Sequence, residues 1–220
     1  MAFLDISKAF DSVSHDTILR SAKQHGLPPP LVRYLTRLYK DSLTIWDDAS
    51  VRCRRGVRQG DPLSLALFIR AMNEVLSHAQ PELGFMVSDR CTGELAYADD
   101  LVLFANSQTE MADKLDGLDN GLRLTGMKLN NSKCRMATIL KNGKRKHLIL
   151  FPREYETENG VIPCLKVDDR VKYIGLQFNW KGRLPVKSTA KAADMLESLS
   201  RGPLKPHQRL EILKAFLIPK

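Results

Sequence analysis

The feature of the sequence that most constrains its fold is a pair of adjacent carboxylates between two short apolar runs. Asp99 and Asp100 follow the apolar residues 95–97 and precede the apolar residues 101–104. Short apolar runs around a polar turn predict a β-hairpin with the carboxylates at its tip. The two charges would then lie at the edge of a core, where they repel each other and raise a pKa.

A divalent cation would relieve that repulsion. Oxygen ligands without His or Cys favour a hard ion such as Mg²⁺ over Zn²⁺. An Asp-Asp pair alone is more often a turn that faces water. Asp5 ends the first apolar run and supplies a third carboxylate, although Asp11 competes with it for any role. A carboxylate on one strand and two on a neighbouring hairpin can hold two Mg²⁺ ions about 4 Å apart, as in-line displacement at phosphorus requires.

The predicted elements indicate an α+β fold, with helices packed on an antiparallel sheet. A strand ends near Ile6, and Ser14 or Asp16 caps the next helix. Ser107 and Glu110 form a capping box that opens a helix ending near residue 124. The other predicted helices are 17–24, one through 31–38, 63–78, 188–199 and 206–217. The predicted extended segments are 43–54, 133–151 and 161–178, with a polar loop at 153–160.

Residues 54–68 combine three arginines, two glycines and a glutamine just before a predicted helix. Glycines permit close approach of a ligand to the backbone, and a helix N-terminus favours phosphate. No Gly-Lys-Ser/Thr follows, so the spacing is not that of a Walker A loop. At this point a basic loop without any ligand is an equal alternative.

The positive charge of the chain is unevenly distributed. Residues 1–100 hold 12 basic and 13 acidic side chains, and residues 101–220 hold the remaining 22 and 12, giving a total of +9 over 220 residues. A basic half favours a polyanionic partner, although a solvated basic surface is an equal alternative. The apolar runs are too short to cross a bilayer, and the four widely spaced cysteines predict reduced thiols of an intracellular protein.

Five segments, three of which contain the residues discussed above, follow one another along the chain: FLDISKAFDSV, RRGVRQGDPLSLALF, AYADDLVLF, TGMKLNNSKC and VKYIGLQF. In this order they resemble the A to E blocks of a reverse transcriptase. The variant is similar to that of non-LTR (LINE-type) retrotransposons, and among them to the clade that inserts into ribosomal RNA genes. The tail, residues 201–220, resembles the start of that clade's thumb.

The resemblance implies the palm of a right-hand polymerase, with truncated fingers and the start of a helical thumb. Residues 1–180 would be the palm with partial fingers, and residues 181–220 would begin the thumb. It also implies an RNA-directed DNA polymerase that adds nucleotides to a primer 3′-OH with two Mg²⁺ ions, for which Mn²⁺ can substitute.

The same resemblance assigns the metal ligands. Asp5 would be the first ligand, assisted by the carbonyl of Ile6, and Asp99 and Asp100 would be the other catalytic carboxylates. Asp11 would be structural. Lys133, which follows the TGMKLNN segment, matches a lysine that protonates the leaving pyrophosphate, although a surface lysine is an equal alternative.

The substrate contacts also follow from the resemblance. Phe10 matches a steric gate that excludes a ribose 2′-OH; without the resemblance a core phenylalanine would be the better interpretation. Arg58, Gln59 and Gly60 would border the incoming nucleotide and template. The hairpin with Tyr173, Ile174 and Gly175 would be the primer grip.

The implied partners are template RNA, a DNA primer or nicked target DNA, and deoxynucleotides, with no membrane. We expect a piece of a retrotransposon polyprotein, located in the nucleus, whose isolated chain has weak or no activity. Two other functions stay open. One is an inactive nucleic-acid-binding remnant of such an element. The other is a different two-metal palm enzyme, such as a nucleotide cyclase or a primase, which would lack the Gln-Gly block and need no template.

Overall fold

The computed structural model describes residues 1–46, 49–58, 60–143, 147–157, 159–185, 196–202 and 205–212. The helices are α1 (Ala9–Ser12), α2 (His15–Gln24), α3 (Pro29–Lys40), α4 (Pro62–Ser77) and α5 (Gln108–Thr125), with a further helix at Pro206–Ile212 and helical residues at 196–201. The strands are β1 (Ala2–Leu4), β2 (Leu43–Trp46), β3 (Ala49–Arg52), β4 (Phe85–Val87), β5 (Arg90–Thr92), β6 (Glu94–Tyr97), β7 (Asp100–Leu103), β8 (Arg135–Met136), β9 (Thr138–Asn142), β10 (His147–Phe151), β11 (Tyr155–Thr157), β12 (Gly160–Ile162), β13 (Val171–Tyr173), β14 (Leu176–Asn179) and β15 (Gly182–Arg183).

A four-stranded antiparallel sheet lies at the centre, in the order β6-β7-β1-β8. β1 pairs with β7 so that Ala2 faces Leu103 and Leu4 faces Leu101. All four of these side chains are buried in the core. Because successive side chains of a strand point to opposite faces, this register gives the sheet one face that packs on helices and one outer face.

Helices α2, α4 and α5 cover the inner face of the sheet. Ile18 on α2, Phe68 and Val75 on α4, and Leu118 and Leu122 on α5 are all fully buried. Burying each such side chain contributes about 1.5–3 kcal/mol, so this layer supplies much of the stability of the fold. The predicted α+β layout of helices on an antiparallel sheet is thereby confirmed.

The helix boundaries follow the local sequence. Of the two candidate caps for α2, the structure selects Ser14, whose hydroxyl accepts a hydrogen bond from the Thr17 amide. Ser107 caps α5 as predicted, but Glu110 accepts its return bond from the Asn106 amide and not from Ser107. In a standard capping box the Glu110 carboxylate would accept from the amide of the cap residue itself; here it accepts from the amide one residue before the cap. Gly126, at φ 81°, ends the helix.

The predicted polar loop at 153–160 is wrong, because it contains most of a hairpin. β11 and β12 pair antiparallel there, and Tyr155 and Ile162 are buried at the two ends of the pair. The first strand has only Tyr155 as a large apolar residue, and the apolar pair Val161 and Ile162 comes at the end of the hairpin, so no apolar run marks residues 153–160. The predicted extended segment from residue 133 begins instead at Arg135, after a turn at 131–133.

The remaining predicted segments are described by the structure only in part. Residues 43–54 are confirmed as extended where described, as the β2–β3 hairpin. The predicted helix at 188–199 is seen from residue 196, and that at 206–217 as far as residue 212; their remaining residues lie outside the described part. The division into palm and thumb at residue 180 stays a prediction. Among the described helices, none combines the length and apolar character needed to cross a bilayer.

Helices α4 and α5 approach closely because α5 carries two glycines one turn apart, Gly117 and Gly121. A Cβ on Gly117 would lie 2.0 Å from the carbonyl oxygen of His78, and one on Gly121 would lie 2.9 Å from that of Val75. Real side chains never approach a backbone oxygen so closely, so the glycines fix the distance between the two helices.

We expect Gly117→Ala to destabilise the protein, although alanine is the better helix former by about 1 kcal/mol. The clash with the His78 carbonyl forces α4 and α5 apart, at a net cost of about 1–3 kcal/mol. Urea unfolding followed by circular dichroism measures the change. Asp116→Ala, at an exposed position of the same helix, is the control and should be neutral or slightly stabilising. An unchanged unfolding midpoint for Gly117→Ala would contradict the packing described.

Candidate active site

The sheet register brings two of the predicted carboxylates together. Leu4 pairs with Leu101, so the same register continued by one residue places Asp5 opposite Asp100. Both side chains therefore lie on the outer face, away from the helices, as a cross-strand pair with Cβ atoms about 5 Å apart. The Asp5 side chain is 41% exposed. This pair gives the outer face two adjacent sets of carboxylate oxygens.

Asp99 occupies the two-residue turn between β6 and β7, together with Ala98. Ala98 has φ 54°, in the left-handed region that costs a residue with a side chain about 1–2 kcal/mol. Asp99 does not line the cleft that Asp5 and Asp100 share. Among the described residues, no three His, Cys, Asp or Glu side chains come together as a metal-binding group. The structure thus joins two of the three predicted carboxylates and leaves the third at the turn.

The backbone around Asp5 is held by residues from the TGMKLNNSKC segment. The Asp5 carbonyl accepts a hydrogen bond from the Asn130 amide at 2.8 Å, and the Asp5 amide donates to Cys134 Sγ at 3.3 Å. Ile6 forms an isolated antiparallel bridge with Leu129, and the Ser7 amide donates to the Lys128 carbonyl. The bridge uses the carbonyl of Asp5, and that of Ile6 takes no part in these two bonds.

Cys134 is fully buried beneath this contact. Burial raises the pKa of its thiol to about 11, because desolvation penalises the thiolate. The thiol is therefore protonated at neutral pH and acts as a structural contact to Asp5. This role also fits its lack of any disulfide partner among the described cysteines.

A basic cleft of about 240 Å³ opens beside the two carboxylates. Lys133 lies in it, with Nζ 3.8 Å from Asp5 Oδ2. Arg135, Arg170 and Lys172 also line it, so four cations surround two carboxylates. The local field therefore favours an anion next to Asp5 and Asp100.

Of the predicted primer-grip residues, Tyr173 ends β13 and Ile174 and Gly175 form the tight turn to β14, and Ile174 contacts Asp100 directly. The Ile174 amide donates a hydrogen bond to Asp100 Oδ2 at 3.1 Å. Ile174 has φ 48° and Gly175 has φ 74°, the pattern of a two-residue hairpin turn with both residues left-handed. A β-branched residue is rarely found there, so the hairpin holds Ile174 in a strained conformation against the carboxylate.

A second pocket, of about 280 Å³, brings together Phe10, Arg58 and Gly60. The Phe10 ring stacks on Phe68, with centroids 4.2 Å apart, and so forms a firm wall. Gly60 has φ 86° at the start of α4. The structure thus places three of the four predicted substrate residues at one pocket, and the fourth, Gln59, lies outside the described residues.

Residues 55–58, which we call the glycine loop, pack against α1 and so form one side of this pocket. The Val57 amide donates to the Phe10 carbonyl at 2.8 Å, and the Gly56 amide donates to the Val13 carbonyl at 2.7 Å. A Cβ on Gly56 would lie 2.9 Å from the Asp11 Cα atom. Only glycine permits this approach, which fixes the loop relative to Phe10.

A buried ion pair that sequence reasoning missed supports the hairpin of Asp99 and Asp100. Lys114 on α5 is fully buried, with Nζ 3.8 Å from Glu94 Oε2 at the start of β6. Its ammonium donates to the carbonyls of Leu83 and Gln80, at 2.6 and 3.1 Å. Burial lowers the pKa of Lys114 and raises the pKa of Glu94, each opposed by the other's charge. A sequence signal existed, because Lys114 lies in the apolar stripe of α5 that includes Met111, Leu115 and Leu118.

The α+β fold, with two carboxylates beside a basic cleft, is consistent with a polymerase, and comparison with known families agrees. Residues 1–178 match the family described as reverse transcriptase (RNA-dependent DNA polymerase). The chain therefore belongs to the reverse transcriptase family, whose members use divalent metal ions.

Its relatives include proteins of retrotransposons. The chain is 36% identical over 225 aligned positions to the Retrovirus-related Pol polyprotein from type-2 retrotransposable element R2DM of Drosophila melanogaster, covering 100% of this chain and 21% of that protein. It is 35% identical over 226 positions to the Pol polyprotein from type-1 retrotransposable element R2 of Nasonia vitripennis, covering 100% of this chain and 22% of that protein. The chain thus spans about a fifth of the length of these relatives. The predicted resemblance to the non-LTR clade that inserts into ribosomal RNA genes is confirmed.

We expect Lys114→Ala to destabilise the protein by about 3–5 kcal/mol, because it leaves Glu94 and two carbonyls without their buried cation. Addition of Glu94→Gln should recover part of the loss, since it removes the uncompensated carboxylate. Urea denaturation measures both changes. Lys23→Ala, which removes an exposed lysine of α2, is the control and should shift stability by less than about 0.5 kcal/mol. Equal effects of Lys114→Ala and Lys23→Ala would show that the buried pair does not support the hairpin.

Proposed function

We propose that this chain is the catalytic core of an RNA-directed DNA polymerase that extends a primer 3′-OH with two Mg²⁺ ions. The observation that carries the proposal is that Asp5 and Asp100 line one basic cleft beside the central sheet in a member of the reverse transcriptase family. We also propose that it works as part of a longer Pol polyprotein, as the lengths of its relatives suggest.

The donor atoms fit the proposed ions. Asp5 and Asp100 present carboxylate oxygens from adjacent strands, and Asp99 is one residue away at the turn. Oxygen-only ligands suit Mg²⁺, with Mn²⁺ as a substitute. When bound, such ions lower the pKa of the attacking hydroxyl and stabilise charge on the phosphates. We assign Asp5, Asp99, Asp100 and the Ile6 carbonyl as the ligands.

Residues of the chain would position the other reactants. In the pocket of Phe10, Arg58 and Gly60, the ring would exclude a ribose 2′-OH, and the guanidinium would neutralise phosphate; Gln59 would border the template beside them. The Lys133 ammonium, 3.8 Å from Asp5, is placed to donate a proton to a leaving pyrophosphate. Holding the reactants in this way lowers the barrier through orientation and electrostatics.

The basic cleft and the turn of Tyr173, Ile174 and Gly175 would hold the nucleic acid. Its four cations can neutralise primer phosphates without reading sequence, and the turn would place the primer end near Asp100. We therefore propose template RNA, a DNA primer or nicked target DNA, and deoxynucleotides as partners. A location in the nucleus follows if the chain serves an element that copies into chromosomal DNA.

We expect Asp5→Asn and Asp100→Asn each to reduce Mg²⁺-dependent primer extension on an RNA template by about 100-fold or more, because each removes a charged metal ligand. Asp89→Asn, an exposed position in the turn between β4 and β5, removes the same charge and should leave extension unchanged. Binding of Mn²⁺, followed by its paramagnetic resonance signal, should weaken in the two site variants only.

Three outcomes would oppose this assignment. Extension that persists without a divalent metal, or in both site variants, would exclude the proposed carboxylate site. Failure of the unmodified chain to extend any primer, with salt-sensitive RNA binding intact, would support a nucleic-acid-binding remnant. Extension without a template would support another palm enzyme.

We expect Phe10→Val to raise incorporation of ribonucleotides relative to deoxynucleotides by about tenfold or more, because the ring no longer meets the 2′-OH. Such a change corresponds to about 1.4 kcal/mol of discrimination. Single-nucleotide incorporation assays with each sugar give the ratio. Loss of the stacking on Phe68 lowers stability too, but a smaller folded fraction affects both substrates equally and cancels in the ratio. An unchanged ratio would mean that Phe10 is a core residue only.

A further inference from the structure

A cavity of about 630 Å³ lies between α2, α3 and the backbone that follows β3. It is bounded by the N-terminus of α2, the last turn of α3 and the strand end that leads into the glycine loop. We call it the α2–α3 pocket, and its lining includes His15, Tyr39, Lys40, Arg52, Arg54 and Arg55. Its volume is in the range of cavities that hold a small ligand or a nucleotide.

The pocket has a strong excess of positive charge. Four of its lining side chains are lysine or arginine, against one carboxylate, Asp16. Arg55 donates to the Gly126 carbonyl at 3.3 Å. Within the part of the chain that the structure describes, no carboxylate lies within 4 Å of Lys40, Arg52 or Arg54. Cations that converge without counter-charges favour a polyanion, which gains by releasing its own counterions.

An aromatic surface forms part of the same lining. The rings of His15 and Tyr39 lie 4.6 Å apart, tilted by 43°. Tyr39 is buried, whereas His15 is half-buried and reaches the cavity. Burial lowers the pKa of His15, against hydrogen bonds to the backbone of Gly56 and Arg55 that raise it, so the ring is neutral at pH 7. A neutral ring beside cations is the combination that binds unpaired bases and their phosphates.

A contact between two backbone segments connects the α2–α3 pocket to the proposed nucleotide site. Residues 55–57 run antiparallel to residues 10–14, with Val57 bonded to Phe10 and Arg55 bridged to Ser14. The Phe10 pocket is at one end of this contact and the α2–α3 pocket is at the other. Ser14 follows Phe10 by four positions along the chain, which is at most about 14 Å of backbone. A single strand of nucleic acid that passes the Phe10 pocket can reach the α2–α3 pocket within a few nucleotides.

We propose that the α2–α3 pocket binds the phosphodiester backbone of single-stranded RNA, the unpaired part of the template, with a base against His15. This inference rests on the proposed polymerase function for the identity of the strand, whereas the binding itself needs neither metal nor nucleotide. The bases would be read only by stacking, so binding would be independent of sequence.

The first test compares two double variants that remove the same charge. Arg52→Ala/Arg54→Ala changes the pocket, and Arg33→Ala/Arg37→Ala changes exposed arginines on α3 that do not line it. Fluorescence anisotropy of a labelled 12-nucleotide RNA in EDTA gives the affinity at several salt concentrations. We expect the pocket variant to lose about tenfold in affinity and to lower the salt slope by about 1.4, two phosphate contacts of a single strand. The α3 variant should change affinity less than threefold, about the effect of general charge.

Arg52→Lys/Arg54→Lys keeps the charges and should retain the salt slope, which separates lost charge from lost folding. Both arginines are exposed, and thermal unfolding checks that each variant is folded. Equal losses in the pocket and α3 variants would overturn the proposal, because binding would then depend on net charge alone. Since the assay contains no metal, failure of primer extension would bear on the proposed function and not on this site.

The second test locates the RNA. Cys53 lines the pocket, and Cys91 is exposed on β5, outside it. Alkylation of each thiol is followed by mass spectrometry with and without the RNA. We expect the RNA to slow alkylation of Cys53 at least threefold and to leave Cys91 unchanged. Unchanged Cys53, or slowing of both thiols alike, would overturn the location.

The strand specificity is tested with the same footprint. A DNA oligonucleotide of the same sequence and a fully paired RNA duplex replace the RNA. Single-stranded RNA should protect Cys53 at least as well as DNA does, because both carry the phosphodiester backbone. Single-stranded RNA should also protect Cys53 better than the duplex, because the paired bases of the duplex cannot reach His15. Protection by DNA alone would overturn the template assignment, and protection by the duplex equal to that by the single strand would overturn the unpaired state of the ligand.

Discussion

The structure depends most on the pairing of β1 between β7 and β8. In this register Ala2 and Leu4 anchor the strand in the helical core, and their alternation sends Asp5 to the other face, opposite Asp100. A slip of β1 by one residue would turn Asp5 towards the core and expose Ala2 and Leu4. The free energy that holds the core together therefore also fixes where the carboxylates lie. Stability and chemistry are specified by one alternating pattern.

The two paired carboxylates are compensated by partners that are weak and easily displaced. Asp5 faces an ammonium at 3.8 Å, on a side chain that is 68% exposed, and an exposed ion pair is worth at most about 1 kcal/mol. Asp100 accepts one backbone amide from the strained turn at Ile174. Release of that amide would also release strain, which offsets part of the lost hydrogen bond.

Sequence reasoning succeeded where the cause is local and failed where it is tertiary. The hairpin of Asp99 and Asp100, the caps at Ser14 and Ser107 and the long helices follow from short patterns, and the structure has them. The hairpin at 155–162 was missed because its first strand has a single large apolar residue, Tyr155, and the apolar residues Val161 and Ile162 come only at its end. Lys114 was missed because charge on a helix is usually solvated, and its partners come from segments 20 to 34 residues away. The resemblance supplied Phe10 and Arg58, which no local pattern would single out; the pocket that joins them exists through one glycine contact, at Gly56.

The net charge of a segment does not show how its charged side chains are arranged after folding. Residues 1–100 carry 12 basic and 13 acidic side chains, which by itself predicts no attraction for nucleic acid. Folding separates the two signs, because α3 and the end of β3 bring four of those cations to one pocket, where only Asp16 opposes them. The Debye length at physiological salt is about 8 Å, so a phosphate in the pocket responds to these neighbours and not to the neutral total. The net charge of −1 over residues 1–100, from 12 basic and 13 acidic side chains, therefore does not describe the electrostatic field in this pocket.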